Sequence, residues 1–545
     1  MVRRALHQSL LVARAALVGV GIALFLGTLP SQALAAQQPE GSTLEEGAGS
    51  AAAPAEPQRR AKRSPRRARS RARSRAAVAP PLRHTTPSSA AALVSDLGTM
   101  LGARTRSGEW GVLVVSLTRG DTLYSFNPDG PLLPASNMKL YCTALSLDLL
   151  GPEHRFTTEV LRDGELATDG TLSGNLVLRG GGDPGFSSRF LGGTPAAPAE
   201  SLAQRVVDAG VRRVRGDLVA DASAYDAERI PEGWLSRYLG AGYAARVSAL
   251  SLNENLVWIV VQPSVNGRPA TVTLDPATEI LVNSNVRTNG GRDARIMAHT
   301  TPAGTIEVRG WIGARAGERR YQVVVEDPAI FTAGAVRRAL ATRGVVIEGG
   351  TRAGLASERA APLTALPSPP LSRLLSVMNR ESNNHFAELI FRNAARVQLQ
   401  QRTVTAAMAN QLLQQFMVDK VGAAPGSVHA ADGSGLSVLD RVTARSLVQL
   451  LSFAHRAPWA DAFHASLPVA GESETLRGRM RLTPAQGNLH AKTGTTNRAI
   501  SLGGYVTAED GELLAFAMLY NGTDRWNARV TIDAMGATLA SFRRE

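Results

Sequence analysis

Three short groups of residues could together do acyl-transfer chemistry. In Ser136-Asn137-Met138-Lys139 a hydroxyl and an amine stand three residues apart, just ahead of the apolar helical run LYCTALSLDLL. On a helix that spacing puts both on one face, one turn apart, so the amine can take the hydroxyl proton. A serine at a helix start also sits in partial positive charge, which favours a developing oxyanion. Lys139 can act as a base only when neutral, a form favoured by burial and by a second nearby cation. Taken alone, the tetrapeptide also reads as an N-capping serine with a solvated lysine.

Lys492-Thr493-Gly494-Thr495 ends an expected strand, Leu489–Lys492. A strand-end cation attracts a carboxylate, glycine permits close backbone approach, and the following N–H can serve as an oxyanion donor. Ser382-Asn383-Asn384 opens the run HFAELIFRNAAR. A hydroxyl and a carboxamide two residues apart can bond a lysine and a peptide carbonyl together, although alone this is an ordinary helix cap. Lysine occurs only at 62, 139, 420 and 492, against 56 arginines, and two of the four fall in these groups.

The elements that must position these groups follow from the hydrophobic pattern. Residues 89–155 read as a helix, two strands (Trp110–Leu117 and Asp121–Phe126) and an apolar helix from Ser136. Residues 156–365 are short alternating runs bounded by Gly, Pro, Asn and Asp, such as Leu172–Leu178, Leu256–Val261 and Tyr321–Val325. Helical periodicity holds from Pro370 to about 457. The strands Ile500–Val506 and Leu513–Leu519 and a helix from Ala528 to Phe542 close the chain. Both ends thus supply helix and antiparallel strand, which predicts one discontinuous domain, 89–155 with 366–545, interrupted by a β-rich insertion of one or two small domains at 156–365.

The N-terminus predicts export. Arg3, Arg4 and Arg14 precede the uncharged apolar run Ala15–Leu29, and small residues at Ala33 and Ala35 fit cleavage before Ala36, giving a signal peptide over 1–35. The run is shorter than the roughly 20 residues of a membrane span. Residues 36–88 read as a disordered linker rich in Ala, Pro and Arg. The chain has 545 residues, 44% hydrophobic, and a net charge of +14, of which residues 59–75 alone carry +10. The folded part is therefore nearly neutral, and the charge does not indicate nucleic acid. It indicates an arm that could approach an anionic wall or membrane surface. Cys142 is the only cysteine, so no internal disulfide or multi-cysteine zinc site can form; it reads as a small core residue. The nine histidines show no metal spacing, and no metal or cofactor is implied.

Serine-x-x-lysine, a Ser/Asn triplet and lysine-threonine-glycine, in that order, resemble the penicillin-recognising serine acyltransferases. Ser136 and Ser382 stand more than twice as far apart as Ser382 and Lys492, with the excess in the β-rich stretch. That spacing resembles the class C low-molecular-mass penicillin-binding proteins, the D-alanyl-D-alanine carboxypeptidase/endopeptidases. So do Gly181-Gly182-Asp183-Pro184, the segment Gly216–Asp221, and Asp432-Gly433-Ser434-Gly435-Leu436-Ser437. One departure is Val438, where this family often carries arginine.

The resemblance implies an α+β, β-lactamase/transpeptidase-like fold: an antiparallel sheet with flanking helices plus an all-helical part. It implies Ser136 as nucleophile, Lys139 as general base, Ser382 as proton relay to the leaving amine, and Asn384 holding the substrate amide or Lys139. Lys492 would supply the field. Thr493 and Thr495 would bind the terminal carboxylate, Gly494 would allow close approach, and the N–H groups of Ser136 and Thr495 would form the oxyanion hole. Asp432 and Ser434 would cap a loop near the cleft. Asp221 and Asp226 could meet the free amine of a diamino acid, against plain solvation. Implied partners are peptidoglycan stem peptides and β-lactam antibiotics. Two rivals remain: a serine β-lactamase or esterase, which needs a base for deacylating water, and a non-catalytic wall-binding scaffold, whose usual mark would be a lost serine or lysine.

Overall fold

The computed structural model describes residues 82–105 and 107–545. The expected signal peptide and nearly all of the basic linker lie outside the described residues. No helix among the described residues is long and apolar enough to cross a membrane.

The sheet that carries the site is built from both ends of the chain. Strands β1 (Glu109–Ser116) and β2 (Thr122–Phe126) come from the N-terminal side, and β3 (His490–Thr495), β4 (Ala499–Thr507) and β5 (Leu513–Asn521) from the C-terminal side. All neighbours are antiparallel in the order β3-β4-β5-β1-β2. Period-two alternation sorts the side chains. Val112, Val114, Phe516 and Met518 face one apolar layer with α1 (Ala90–Arg104) and the closing helix Arg525–Ala540. Leu113, Ala515, Ala517 and Leu519 face the other, with α2 (Met138–Leu150) and α3 (Asn384–Leu399). Further helices, Leu371–Arg380, Ala406–Asp419 and Ala444–Arg456, complete the helical part on that second face. Ser89 caps α1 by accepting from the Ala92 N–H (3.2 Å), and Asn383 caps α3 by accepting from the Phe386 N–H (3.1 Å).

The chain leaves this body at Phe156 and returns at Ser368, and the two residues bond each other directly. The Ser368 N–H donates to the Phe156 carbonyl (2.8 Å), and the Phe156 N–H donates to the Ser368 hydroxyl (3.0 Å). Between them lie a seven-stranded mixed sheet and two three-stranded sheets. The expected strands are present with boundaries moved by a few residues; Leu172–Leu178, for example, is the middle of Thr171–Gly180. Two helices, Ala197–Asp208 and Pro328–Thr342, were not anticipated by the strand-dominated reading. Their alanine-rich faces pack onto the sheets, and the main apolar core of the insertion runs from Val160, Leu176 and Leu202 to Ile259, Val286 and Ile306, with a smaller cluster at Leu161, Val177 and Val219.

Candidate active site

Ser136 sits in a tight turn, Ala135–Asn137, immediately before α2, rather than on the α-helix itself. The α-helix begins late because Ala135 holds a left-handed backbone, φ +47°, costly for a residue with a Cβ and sustained only by surrounding contacts. Those contacts are visible. The Ser501 hydroxyl, on β4, donates to the Pro134 carbonyl (2.7 Å) and accepts from the Asn137 carboxamide (2.6 Å). On the other side lies Gly435, φ +85°, where a Cβ would fall 1.8 Å from the Ala135 carbonyl oxygen, so no other residue fits. Gly494 on β3 is also held close, since a Cβ there would fall 2.1 Å from Ser501 Oγ and about 3 Å from Pro134 and Ala135.

Lys139 is the second residue of α2, one turn beyond Ser136, fully buried, and makes three contacts. Its Nζ stands 2.6 Å from Asn384 Oδ1, 2.7 Å from the Ser434 carbonyl and 3.1 Å from Ser136 Oγ. A neutral amine has two N–H bonds and one lone pair. The two short contacts take the N–H bonds, which leaves the lone pair for the serine proton. Burial lowers the Lys139 pKa to about 8, against the opposing pull of Asp432, Glu388, Cys142 and Asp440. Burial is thus the main cause, where the sequence had suggested burial together with a second cation.

Lys492 is equally buried. It donates to Ser382 Oγ (2.9 Å) and to the Thr493 carbonyl (2.9 Å), and its pKa is held well below the usual lysine range by burial and by Lys139. Among the described residues no carboxylate pairs with either lysine. Ser382 also has a left-handed backbone, φ +59°, and is the residue just before the cap Asn383. Asn384 is the first residue of α3. While its oxygen holds Lys139, its amide nitrogen donates to the Tyr243 carbonyl of the insertion (2.9 Å). Thr493 is buried and Thr495 is exposed at the end of β3, beside the serine turn. All eight residues singled out by spacing therefore converge on one cleft.

The loop Asp432–Ser437 closes one wall. Asp432 accepts from the N–H groups of Ser434 (2.9 Å), Gly435 (2.6 Å) and Ser437 (2.8 Å) and from Trp234 Nε1 (2.6 Å). The local capping expected of Asp432 is thus present, and it extends to a tryptophan of the insertion. Asp221 and Asp226, in contrast, do not face the cleft. Asp221 is buried, accepting from the Ser223 and Ala356 N–H groups (2.9 and 2.8 Å), and Asp226 pairs with the buried Arg392 (3.1 Å). Both are occupied by backbone and arginine partners, so neither is free for an amine or merely solvated. Cys142 is buried among apolar residues of α2, as its composition suggested.

Beside the serine turn a groove of about 380 Å³ runs between the loop, β3 and the insertion. Its charged lining is Arg237, Arg441 and Arg498, with Tyr238, Leu436 and Val438 as its walls. Sequence reasoning missed Ser501, Asn137, Tyr243 and these arginines. Only Ser501, a polar residue in an apolar strand, carried a signal that could have been read.

Comparison with known proteins agrees over most of the chain. The family model for the D-Ala-D-Ala carboxypeptidase 3 (S13) family matches residues 96–542. A D-alanyl-D-alanine carboxypeptidase from Actinomadura sp. (strain R39) is 34% identical over 451 residues, 79% of this chain and 81% of the relative. D-alanyl-D-alanine carboxypeptidase DacB from Haemophilus influenzae is 24% identical over 422 residues, 76% and 85% of the two chains. The crystal structure of penicillin binding protein 4 (dacB) from H. influenzae superposes with a TM-score of 0.69 at 22% identity, covering 82% of this chain and 98% of that one.

Proposed function

The chain belongs to the D-Ala-D-Ala carboxypeptidase 3 (S13) family, and from that premise we propose that it hydrolyses stem peptides of peptidoglycan through an acyl-enzyme on Ser136. The observation that carries this reading is the threefold environment of the Lys139 amine, which leaves its lone pair for the Ser136 hydroxyl.

In the proposed cycle Ser136 Oγ attacks the carbonyl of the penultimate D-alanine while its proton passes to neutral Lys139. The N–H groups of Ser136 and Thr495 stabilise the oxyanion. As the intermediate collapses, the proton moves from Lys139 through Ser382 to the departing D-alanine amine, assisted by the field of Lys492. Ser382 is supported in this role by its hydrogen bond from Lys492 (2.9 Å). Thr493 and Thr495 hold the terminal carboxylate. Water then releases the acyl group by the reverse path. In a penicillin the leaving nitrogen stays tethered to the acyl group, so the ester persists.

The groove lined by Arg237, Arg441 and Arg498 suits the stem peptide's side chain if that side chain presents a carboxylate; it lacks an acid for a free amine. The same reading puts the chain outside the cytoplasm, with residues 59–75 drawn to an anionic wall or membrane surface.

The test is to incubate the purified chain with muropeptides and read the products by mass, beside labelling with a fluorescent penicillin. Loss of one D-alanine supports a carboxypeptidase, and cleavage of cross-links supports an endopeptidase. Rapid penicillin turnover would favour a β-lactamase, and an unlabelled wild-type chain would sink the acyl-enzyme.

A further inference from the structure

The acceptors that orient Lys139 come from two separate elements: Asn384 from the first residue of α3, and the Ser434 carbonyl from the loop Asp432–Ser437. Something must hold these elements in register, since a shift of either would turn the amine away from Ser136. The side chain that joins them is Glu388. It lies one turn beyond Asn384 on α3, so it shares that residue's side of the helix, and it is fully buried. Its Oε1 accepts from the Gly433 N–H at 2.9 Å, and the Ser434 carbonyl that receives Lys139 belongs to the next residue. One carboxylate therefore fastens the loop to the helix directly behind the lysine amine.

We propose that Glu388 is the positioning residue of the general base. It clamps loop to helix so that Asn384 and Ser434 receive the Lys139 N–H bonds and the lone pair stays on Ser136, while its charge adds to that of Asp432 in shifting the pH range over which Lys139 is neutral. This rests on the acyl-enzyme reading given above.

The surroundings give that charge its effect. Oε2 of Glu388 has no hydrogen-bond partner, and neither do Nε and Nη2 of Arg392, one turn further along α3, whose Nη1 is held by Asp226. Asp432 from the loop, Asp440 just beyond it, Cys142 from α2, Lys492 from β3 and Tyr225 from the insertion are the other titratable groups that face Lys139 or Glu388. Burial and Asp432 push Glu388 up to about 8, against Arg392 and Lys139, so the two partners titrate over one range and their steps belong to the pair. An ionised Glu388 favours the charged form of Lys139. Replacing it with a neutral isostere lowers the lysine's pKa, and the neutral base is then present at lower pH.

The experiment measures the acylation rate of the full chain by a fluorescent penicillin from pH 5 to 10, with Ser136→Ala as the unlabelled control. Glu388→Ala removes the clamp and should slow acylation by about ten- to a hundredfold, the scale of a misplaced reacting group. Glu388→Gln keeps an oxygen for the Gly433 N–H and removes the charge. Its loss should be several times smaller, and its acidic limb should move down by roughly half to one pH unit. A merely structural role would not move that limb. Circular dichroism shows whether the alanine variant folds; if it does not, the glutamine profile decides alone. A glutamine profile that superposes on wild type, or a folded alanine variant acylating at the wild-type rate, overturns the inference. Failure of the wild type to label would instead overturn the acyl-enzyme reading.

Discussion

The cleft and the insertion treat their cations in opposite ways. Four arginines of the insertion lie at or near the surface with a carboxylate beside them: Arg179 with Glu159, Arg213 with Glu348, Arg352 with Asp217 and Arg246 with Glu326, all at 2.6–2.7 Å. In the cleft, Lys139 and Lys492 are fully buried and are held by hydroxyl, carboxamide and carbonyl oxygens instead. Exposed pairs contribute between nothing and about 1 kcal/mol each. A buried cation without a counter-charge opposes folding and is retained only where neutral-lysine chemistry or a local field is useful.

The sharpest break in that contrast comes from removing the cleft's own groups. Ser136→Ala should abolish covalent labelling by a fluorescent penicillin altogether, and Lys139→Ala should slow acylation by about 10²–10⁴-fold. Undiminished label on Ser136→Ala would mean that another residue is the nucleophile. Lys492→Ala, which removes the field and the partner of Ser382, should lower acylation by roughly 10²-fold with the chain still folded.

The pH profile sharpens the same point. The Lys139 pKa is lowered to about 8, and only the neutral amine accepts a proton, so acylation should be weak at pH 6, rise through about 8 and level off above it. A flat rate from pH 5 to 10 would exclude a titrating lysine base.

The insertion and the arm should give the smallest effects. Deleting residues 37–84 should leave hydrolysis of a short peptide ending in D-Ala-D-Ala almost unchanged, while retention on anionic walls or vesicles falls and becomes insensitive to salt. Retention of the intact chain that ignores salt would locate the anchor in the insertion. Arg213→Ala, half-exposed beside Glu348, should change urea-unfolding stability by less than about 1 kcal/mol and leave acylation alone.

Much of the cleft was legible because its chemistry is local in sequence. Ser136 and Lys139 are one turn apart, Lys492 to Thr495 form one strand end, and Ser382 to Asn384 start one helix. Alternation and helical periodicity likewise marked the strands and helices of the sheet-bearing body, although not the two apolar layers they form. What escaped depends on contacts across long intervals. Ala135 gives no sign of its left-handed backbone, because Ser501 and Gly435 impose it from remote segments. Asp226 reads as a solvated acid until Arg392, buried on α3, is found against it. The insertion's helices were passed over because each is a lone helix among many short strands, although Ala199, Leu202, Ala203 and Val206 do fall on one helical face.

The way the sheet is assembled also sets the order in which the protein can be built. The central strand β5 arrives almost at the end of the chain, yet it pairs along the whole of β1. Asn521 bonds the backbone of Leu133 across 388 residues, and Tyr520 reaches Ser107 across 413. In whatever way the chain emerges, the β1–β2 hairpin waits for about 390 further residues, from Phe126 to Leu513, before its neighbour arrives. During that interval it offers an open edge and an uncovered apolar face. The insertion waits about half as long, since its first strand Thr157–Leu166 is joined by its last, Ala361–Pro367, about 200 residues later, and all its strands lie between Phe156 and Ser368. It can mature as a finished unit while the catalytic sheet is still incomplete. The serine turn, wedged between β3, β4 and the Gly435 loop, is then among the last parts to take shape, so the proposed nucleophile reaches its final setting only when β3 and β4 are in place.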